Sequence, residues 1–464
     1  MRIFSLPTRA SATRCLTGRH GLAAMLLIAL IAPVHADTNA KHGSPAKFIR
    51  SSEAEQGEQI FRLVAEAVYR SDPAWKVPGQ QARLWQNKAI SEGALPNPVF
   101  TSGLFNVPFD GLSLTDIPTT QWRFGLKQAV PRGKTRQLKA DKAREQAESL
   151  LWQAKAVFLQ RVRQAQRLWL DLFFLAEKRR IVQANHDLLQ ALTQVAENKL
   201  AEGRGNQQDV IQARVEMLRL QDELIQIKDQ MHSKEMQYHA LAGHGDPQWP
   251  DLPLQATLPE VGVEDIRQHP QIRRLDRLLA VADTGISLAH EQRKPMWVVG
   301  GEYRKRFGTN PDGSDREDLF AITASIDLPF ARAKARDAEV EAALSARDAW
   351  QSEREKTWLQ LQAEASSATS SLKLAREAGA LYQTRLLDEA RLNVQAAEDA
   401  YAAGTGDFSA VIIAQRNLLK TQLQAVGHQV AQWRAWVDLQ AIKSHWLNVF
   451  QDLKPIVKAN QEKE

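Results

Sequence analysis

Gly203-Arg204-Gly205-Asn206-Gln207-Gln208-Asp209-Val210-Ile211-Gln212-Ala213 returns later in the chain as Gly404-Thr405-Gly406-Asp407-Phe408-Ser409-Ala410-Val411-Ile412-Ile413-Ala414. The copies agree at both glycines and at Val, Ile and Ala, all displaced by 201 residues. Each copy interrupts a long helical pattern. Glycine supplies the positive φ that ends one helix, and Asn206 or Asp407 stands where a cap for the next belongs. The stretch therefore reads as the tip of an antiparallel helical hairpin, present twice. A period of about 200 residues is too long for a solenoid unit, so the chain is read as a duplicated half-domain.

Upstream of the first tip, a helical pattern runs without a break from Pro131-Arg132-Gly133-Lys134 to Glu202, about 100 Å at the rise of an α-helix. Phe158, Val162, Ala165, Trp169, Leu172 and Ala176 step by four and three along it, and Val210, Ala213, Met217, Leu220, Leu224, Ile227 and Met231 continue the alternation after the turn. Both are coiled-coil seams. The returning helix fades near Ala242, and 243–261 is a Pro/Gly-rich connection. The second half repeats the order. His269 to Arg293 is helical, an alanine-rich helix runs from about Arg332 to Ala402, and Leu419, Leu423, Val426, Val430, Trp433 and Val437 form the seam beyond the second tip.

Ahead of each long helix the period changes from helical to two. Residues 99–109 place Val99, Thr101, Gly103, Phe105, Val107 and Phe109 on one face; 121–130 set Trp122, Phe124, Leu126 and Val130 against Gln121, Arg123, Gly125 and Lys127. Segments 296–307 and 318–328 repeat the pattern around a Gly/Asn/Pro/Asp loop, with Pro329 matching Pro131. Strands of about ten residues cross an outer membrane when tilted. Phe100 and Trp297 at one level, with Phe109, Trp122 and Phe307 at the other, suit interfacial girdles.

Four strands cannot close a barrel, and lipid does not tolerate an open sheet edge. Closure by three copies gives twelve strands. The expected fold is mainly α with a small β part: duplicated long helical hairpins forming a trimeric α-barrel continuous with a 12-stranded transmembrane β-barrel, four strands per chain. Alanines 333, 335, 338, 342, 343, 346 and 349 permit close helix approach in such a ring. The expected segments are 37–98 (N-terminal segment, loose to residue 52, then short helices at 53–70 and 78–93), 99–130 (first β-hairpin), 131–242 (first helical hairpin), 243–294 (connection and helix), 295–330 (second β-hairpin), 331–450 (second helical hairpin) and 451–464 (polar tail).

The first 36 residues read as a cleaved leader. Arg2, Arg9, Arg14 and Arg19 precede the apolar run Gly21 to Val34, which ends in Val34-His35-Ala36. Removing those four arginines takes the formal charge of the 464-residue chain from +6 to +2, so its basicity gives no argument for nucleic acid. Cys15, the one cysteine, precedes the apolar run and leaves with the leader, so no lipidated first residue is expected. No later run is apolar enough for a membrane-spanning helix.

On this frame Leu95-Pro96-Asn97-Pro98 before the first strand, Gln128-Ala129-Val130-Pro131-Arg132-Gly133-Lys134 after the second, and Tyr401-Ala402-Ala403-Gly404 with Val411 to Ala414 at the second tip resemble the outer membrane efflux family, the TolC-like proteins, over essentially the whole mature chain. Within it, the chain is similar to the heavy-metal CzcC-like and CusC-like branch, without a His- or Met-rich tract to support metal cargo. The resemblance implies a homotrimeric duct through outer-membrane lipid of a Gram-negative bacterium, docking a periplasmic adaptor protein and an inner-membrane pump of a tripartite (RND-type) system. Its expected cargo is heavy-metal cations or small toxic compounds. The same fold serving type I protein secretion and a soluble periplasmic coiled-coil scaffold are the competing readings.

No enzyme signature is present. There is no HExxH and no nucleophile elbow, and the GxG at each tip follows a helix and lacks a third glycine. The eleven histidines are scattered, so neither cofactor nor metal site is expected. The resemblance implies a constriction at the tips held by polar contacts among Asp and Tyr side chains. By position Asp209 and Tyr401 are the matching pair, with Arg204 and Asp407 able to add a charge pair, and Gly203, Gly205, Gly404 and Gly406 forming the turns. Gly406, Ala410 and Ile413 stand where the TolC pattern has an arginine and two acids, which implies a weaker lock.

Overall fold

The computed structural model describes residues 46–244, 258, 266–328 and 333–452. The leader, Pro329, Arg332, most of the 243–261 connection and residues 453–464 of the polar tail lie outside the described residues. Everything from Lys47 onward belongs to one unit.

Two helices, α1 (Ala46–Ser71) and α2 (Lys76–Gly93), lead into strands β1 (Val99–Phe105) and β2 (Gln121–Val130). The first long hairpin is α3 (Thr135–Ala201) and α4 (Gln207–Ala242), followed by α5 (Pro270–Glu291). Strands β3 (Trp297–Arg306) and β4 (Leu319–Ile326) precede the second hairpin, made of α6 (Ala333–Leu381), α7 (Leu387–Ala402) and α8 (Phe408–Ile442), and the short α9 (Leu447–Asp452) closes the described chain. A π-helical segment, Tyr382–Leu386, joins α6 to α7, so the second long helix carries a one-turn bulge where an unbroken pattern was expected. Helix α1 starts at Ala46, inside the segment expected to be loose.

The helical core sits in two clusters. In one, Phe61 of α1 meets Trp169 of α3 at 5.7 Å and Trp433 and Trp436 of α8 at 5.6 and 5.8 Å between ring centroids. All four rings are buried, and the Gln166 side chain donates to the Phe61 carbonyl at 3.0 Å, so the buried polar groups here are partly paired. The other cluster runs toward the turns and is built from Ile181, Val182 and Leu189 of α3, Val210, Leu220 and Ile227 of α4, and Phe408, Ile412 and Leu419 of α8. Val210, Leu220, Ile227 and Leu419 are seam residues read from the sequence; Ile181, Val182 and Leu189 of α3 and Phe408 and Ile412 of α8 extend the seams toward the turns.

The strands form one antiparallel sheet in the order β1-β2-β3-β4, so β2 of the first half pairs with β3 of the second along its whole length. Register assigns the faces. Trp122 lies opposite Leu104 and Lys305, Phe124 opposite Ser102 and Tyr303, Leu126 opposite Phe100 and Gly301, and Tyr303 opposite Phe320. One face thus carries Phe100, Leu104, Trp122, Phe124, Leu126, Val130, Trp297, Val299, Tyr303, Phe320, Ile322 and Ile326. Its polar members are satisfied locally: Trp122 Nε1 donates to Ser102 at 2.9 Å, Gln128 to the Pro96 carbonyl at 2.9 Å, and Lys305 to Asp318 at 3.1 Å. Ile322 and Phe320 remain 76% and 70% exposed, so nothing in the protomer covers this face.

The first strand is shorter than its sequence reading, and register shows which face its row of alternate residues occupies. Val99, Thr101, Gly103 and Phe105 lie opposite Lys127, Gly125, Arg123 and Gln121, so they belong to the polar face; Phe100 and Leu104 take the apolar one. Phe105 lies under the Arg123 guanidinium, 4.2 Å from its ring centroid, which is why an aromatic is tolerated there. The strand stops at Phe105, because Asn106 turns to φ +56°, and Val107 and Phe109 fall in the loop.

Sheet and helices are clamped where Pro131-Arg132-Gly133-Lys134 passes from β2 to α3. Arg132 pairs with Asp327, and the Glu291 carboxylate accepts from the Lys134 backbone N–H at 2.8 Å and from Lys294 Nζ at 2.6 Å. Those two hydrogen bonds, that to Lys294 first, hold the Glu291 carboxyl below its ordinary pKa. Gly133 has φ +38°, which favours glycine, and a Cβ there would lie 1.9 Å from a Glu291 carboxylate oxygen, so a larger residue would also displace the Glu291 side chain from the Lys134 N–H.

Candidate functional site

The two tips are built alike. At the first, Gly203 takes φ +71°, the Arg204 N–H donates to the Lys199 carbonyl at 2.9 Å and the Gly203 N–H to that of Leu200 at 3.0 Å. At the second, Gly404 takes φ +72°, with Thr405 donating to Ala400 at 3.0 Å and Gly404 to Tyr401 at 3.2 Å. Both are Schellman closures, which satisfy the last carbonyls of the incoming helix. Gly205 and Gly406 then pass close to that helix: a Cβ would meet Leu200 N at 2.6 Å and Ala400 Cβ at 2.9 Å.

The outgoing caps differ. The Asn206 side chain accepts from the Gln208 N–H at 3.0 Å, whereas Asp407 has the same extended backbone but makes no side-chain cap bond. Of the two expected caps, only Asn206 therefore acts as one.

Asp209 and Tyr401 come from different hairpins and meet within one protomer. Tyr401 packs on the second core cluster, its ring 5.2 Å from that of Phe408. Its hydroxyl is buried and makes no hydrogen bond of normal geometry. Burial first, and the nearby Asp209 carboxylate second, push the phenol above its ordinary pKa. That is the environment of a neutral hydroxyl beside an acceptor. Arg204 is paired at 2.5 Å with Glu202 in its own turn, and within the protomer it makes no ion pair with Asp407 among the described residues.

Three further contacts brace this end, and the first two carry no sequence signal. Lys199 of α3 reaches across to Tyr401, its Nζ 3.9 Å from the ring centroid and 2.9 Å from the backbone carbonyl. Glu216 of α4, buried, accepts from Arg416 of α8 at 2.7 Å and from Arg219 at 2.9 Å. Across each hairpin, 17 residues apart, Arg214 pairs with Glu197 at 2.5 Å and Gln415 with Glu398 at 2.8 Å; these two pairs are related by the 201-residue displacement itself. The displacement, applied to Glu197 and Arg214, points to the last pair.

Nearer the strands, Arg163 and Arg167 of α3, Glu364 of α6, and Arg434 and Asp438 of α8 line a cavity of about 820 Å³ together with Asp171. Arg163 bridges Asp438 at 2.8 Å and Glu364 at 3.1 Å, while Asp171 takes Lys234 at 2.7 Å and also Arg434. The charges thus neutralise one another and brace α3 against the second hairpin. Close by in charge terms, His269 is held neutral at the start of α5: burial and then the Arg163 charge lower its pKa to about 4.

Residues 266–443 match the family model described as outer membrane efflux protein. Among solved structures, the outer-membrane channel OprN aligns with TM-score 0.71 and 17% identity over 83% of this chain and 90% of that one. CusC, studied for the conformational changes accompanying folding and transmembrane channel formation, gives 0.71 and 16% over 83% and 92%. The outer membrane protein VceC of Vibrio cholerae gives 0.68 and 17% over 83% and 96%. No curated protein sequence matches the chain. The fold read from the sequence, long helical hairpins joined to a small antiparallel sheet, is the fold of these proteins.

Proposed function

We propose that this chain, an outer membrane efflux protein by its matched second half and by its fold, forms a homotrimeric duct that carries small toxic compounds from a periplasmic adaptor and inner-membrane pump to the exterior. The observation that carries the reading is the sheet. Its outer strands β1 and β4 each leave an edge unpaired, and its apolar face is uncovered. In lipid, both are satisfied at once if three copies join edge to edge, β1 of one beside β4 of the next. The helices carry matching unfinished flanks. Ile211, Val215, Leu218 and Ile225 stand exposed along α4, and the alanines of α6 from Ala333 to Ala349 are mostly exposed, so a neighbouring protomer has a close-packing surface to meet.

The helices then extend into the periplasm of a Gram-negative cell, with the duplicated turns at the far mouth. There Asp209 and Tyr401, with Lys199 and the Glu216–Arg416 pair, hold the two hairpins of each protomer together and set the aperture; Arg204 and Asp407 face the same mouth from the turns. Energy comes from the partner pump, and the duct supplies a passage and a gate. Residues 1–36 direct export and are removed.

The test is purification from outer membranes in mild detergent followed by reconstitution in planar lipid bilayers. A particle of three chains with discrete conductance steps is expected. A monomer in detergent, or an assembled particle with no conductance, overturns the reading.

A further inference from the structure

Resting on the duct reading, in which the apolar sheet face meets lipid, we infer that the opposite face makes the outer segment of the passage a cationic belt that favours cargo and ions carrying negative charge. The register that places Trp122 and Phe320 on one face places Arg123, Lys127, Arg304 and Arg306 on the other, with Glu302 as the one carboxylate among them.

The arrangement is not self-neutralising. Glu302 accepts from Arg304 at 2.6 Å and lies 3.7 Å from Arg123, so one acid is shared by two guanidinium groups. Arg123 and Arg304 are direct cross-strand partners, an opposition of like charges that costs stability in an ordinary sheet. Lys127 is exposed, and the Arg306 guanidinium donates to the Pro118 carbonyl at 3.2 Å while its backbone N–H donates to Asp318 at 3.1 Å; neither side chain has an ion-pair partner among the described residues. From Lys127 to Arg123 along β2 is about 13 Å at the rise of a strand. The guanidinium pair therefore sits well inside the strand segment, with Lys127 nearer the helices and Arg306 nearer the outer loops.

Spacing decides the effect. Arg123 and Arg304 as cross-strand neighbours stand about 5 Å apart, and Arg306 is about 7 Å along the strand from Arg304, both less than the Debye length of about 8 Å at physiological salt, so these three act together and Lys127, farther off, adds a separate charge on the helix side. Low-dielectric walls on all sides focus that potential into the lumen. The acids of the outer loops, among them Asp110, Asp116, Asp315 and Glu317, act in the opposite sense, but at an open rim where water screens them. Asp318 there is already engaged by Tyr303 and Lys305. Divalent cations meet a barrier in this segment, and anionic solutes meet a counter-charge at the step before release.

The experiment is reversal potential in a KCl gradient across a bilayer holding the full-length trimer, compared with the variant R123Q/K127Q/R304Q/R306Q. The wild type is expected to pass chloride in preference to potassium, and the variant to lose at least threefold of that ratio. Inorganic pyrophosphate on the outer side is expected to reduce the wild-type current and to leave the variant's unchanged. Should the fourfold variant fail to assemble, Lys127→Glu alone, at an exposed and unpaired position, is expected to shift the ratio in the same direction. Conducting trimers whose selectivity is the same with and without these charges overturn the inference and leave the duct standing. Assembled trimers that conduct nothing overturn the duct itself.

Discussion

Arg416 of α8 donates to the buried carboxylate of Glu216 of α4 at 2.7 Å, tying the second helical hairpin to the first about two turns above the tips. Arg219 completes the site at 2.9 Å, so one carboxylate holds two guanidinium groups from different hairpins. Arg416 itself is half exposed, which screens its share of the pair. Glu216→Gln is expected to cost the assembled protein about 1–2 kcal/mol, between the worth of an exposed pair and that of a buried one. The same variant is expected to conduct more per channel, since a tie across the mouth is lost. A lowered unfolding midpoint in detergent and larger conductance steps are the two readouts.

Tyr401 and Asp209 separate stability from gating. The Tyr401 hydroxyl is buried with Asp209 nearby but no hydrogen bond of normal geometry, so Tyr401→Phe removes a polar group whose burial is only partly offset. Thermal stability is expected to be unchanged or higher by up to about 1 kcal/mol. Combined with Asp209→Asn, the change is expected to raise single-channel conductance, because the phenol and the charge it faces are both removed. Conductance equal to wild type in the double variant excludes this contact from the gate.

Stability is expected to depend on pH through His269. Its folded pKa of about 4 lies below its ordinary 6.5, so on acidification the unfolded chain takes up a proton before the folded one does. The contribution is present in full above about pH 6.5 and is lost as pH falls toward 4, up to about 3 kcal/mol in all. The neutral ring is also required for geometry, since Nδ1 accepts from the Gln271 N–H at 3.3 Å at the start of α5. His269→Asn keeps a cap acceptor and removes the titration. Unfolding midpoints between pH 7 and 4.5 are expected to fall more steeply for the wild type than for the variant.

The duplicated turns give a paired measurement. Gly203 and Gly404 have matching positive φ and open space around their would-be Cβ atoms, so alanine at either meets only the backbone penalty. Each substitution is expected to cost about 1–2 kcal/mol. Gly205→Ala is expected to cost more, because its Cβ would lie 2.6 Å from the Leu200 backbone nitrogen. Thermal unfolding of the three variants ranks them; equal losses at Gly203 and Gly205 contradict the close approach.

Much of the molecule is written locally. The displacement between Gly203 and Gly404 gave both turns, and the step of four and three from Phe158 to Leu172 gave a buried seam, because helical periodicity is a property of neighbouring residues. The change to period two at Val99 and Trp297 gave all four strands within a few residues. What local pattern left open was which face of β1 is which. Val99, Thr101, Gly103 and Phe105 look like an apolar row, yet pairing with Lys127, Gly125, Arg123 and Gln121 puts them on the polar side. A strand's alternation says that two faces exist, and only the partner strand says which is which.

At the tips the sequence placed Asp209 and Tyr401 near the same turn level, and the fold added Lys199, Glu216 and Arg416, whose contacts span about 200 residues. The sequence alone determined the duplication, the helices, the existence of strands and the glycine turns, because each rests on backbone conformation and short-range periodicity. Only the tertiary structure decided that β2 and β3 join the two halves, that Phe61 is enclosed by three tryptophans, and that one acid serves two arginines on the polar face. Those depend on which distant segments become neighbours, and in this chain that is fixed by packing and register between elements that carry no mark of each other.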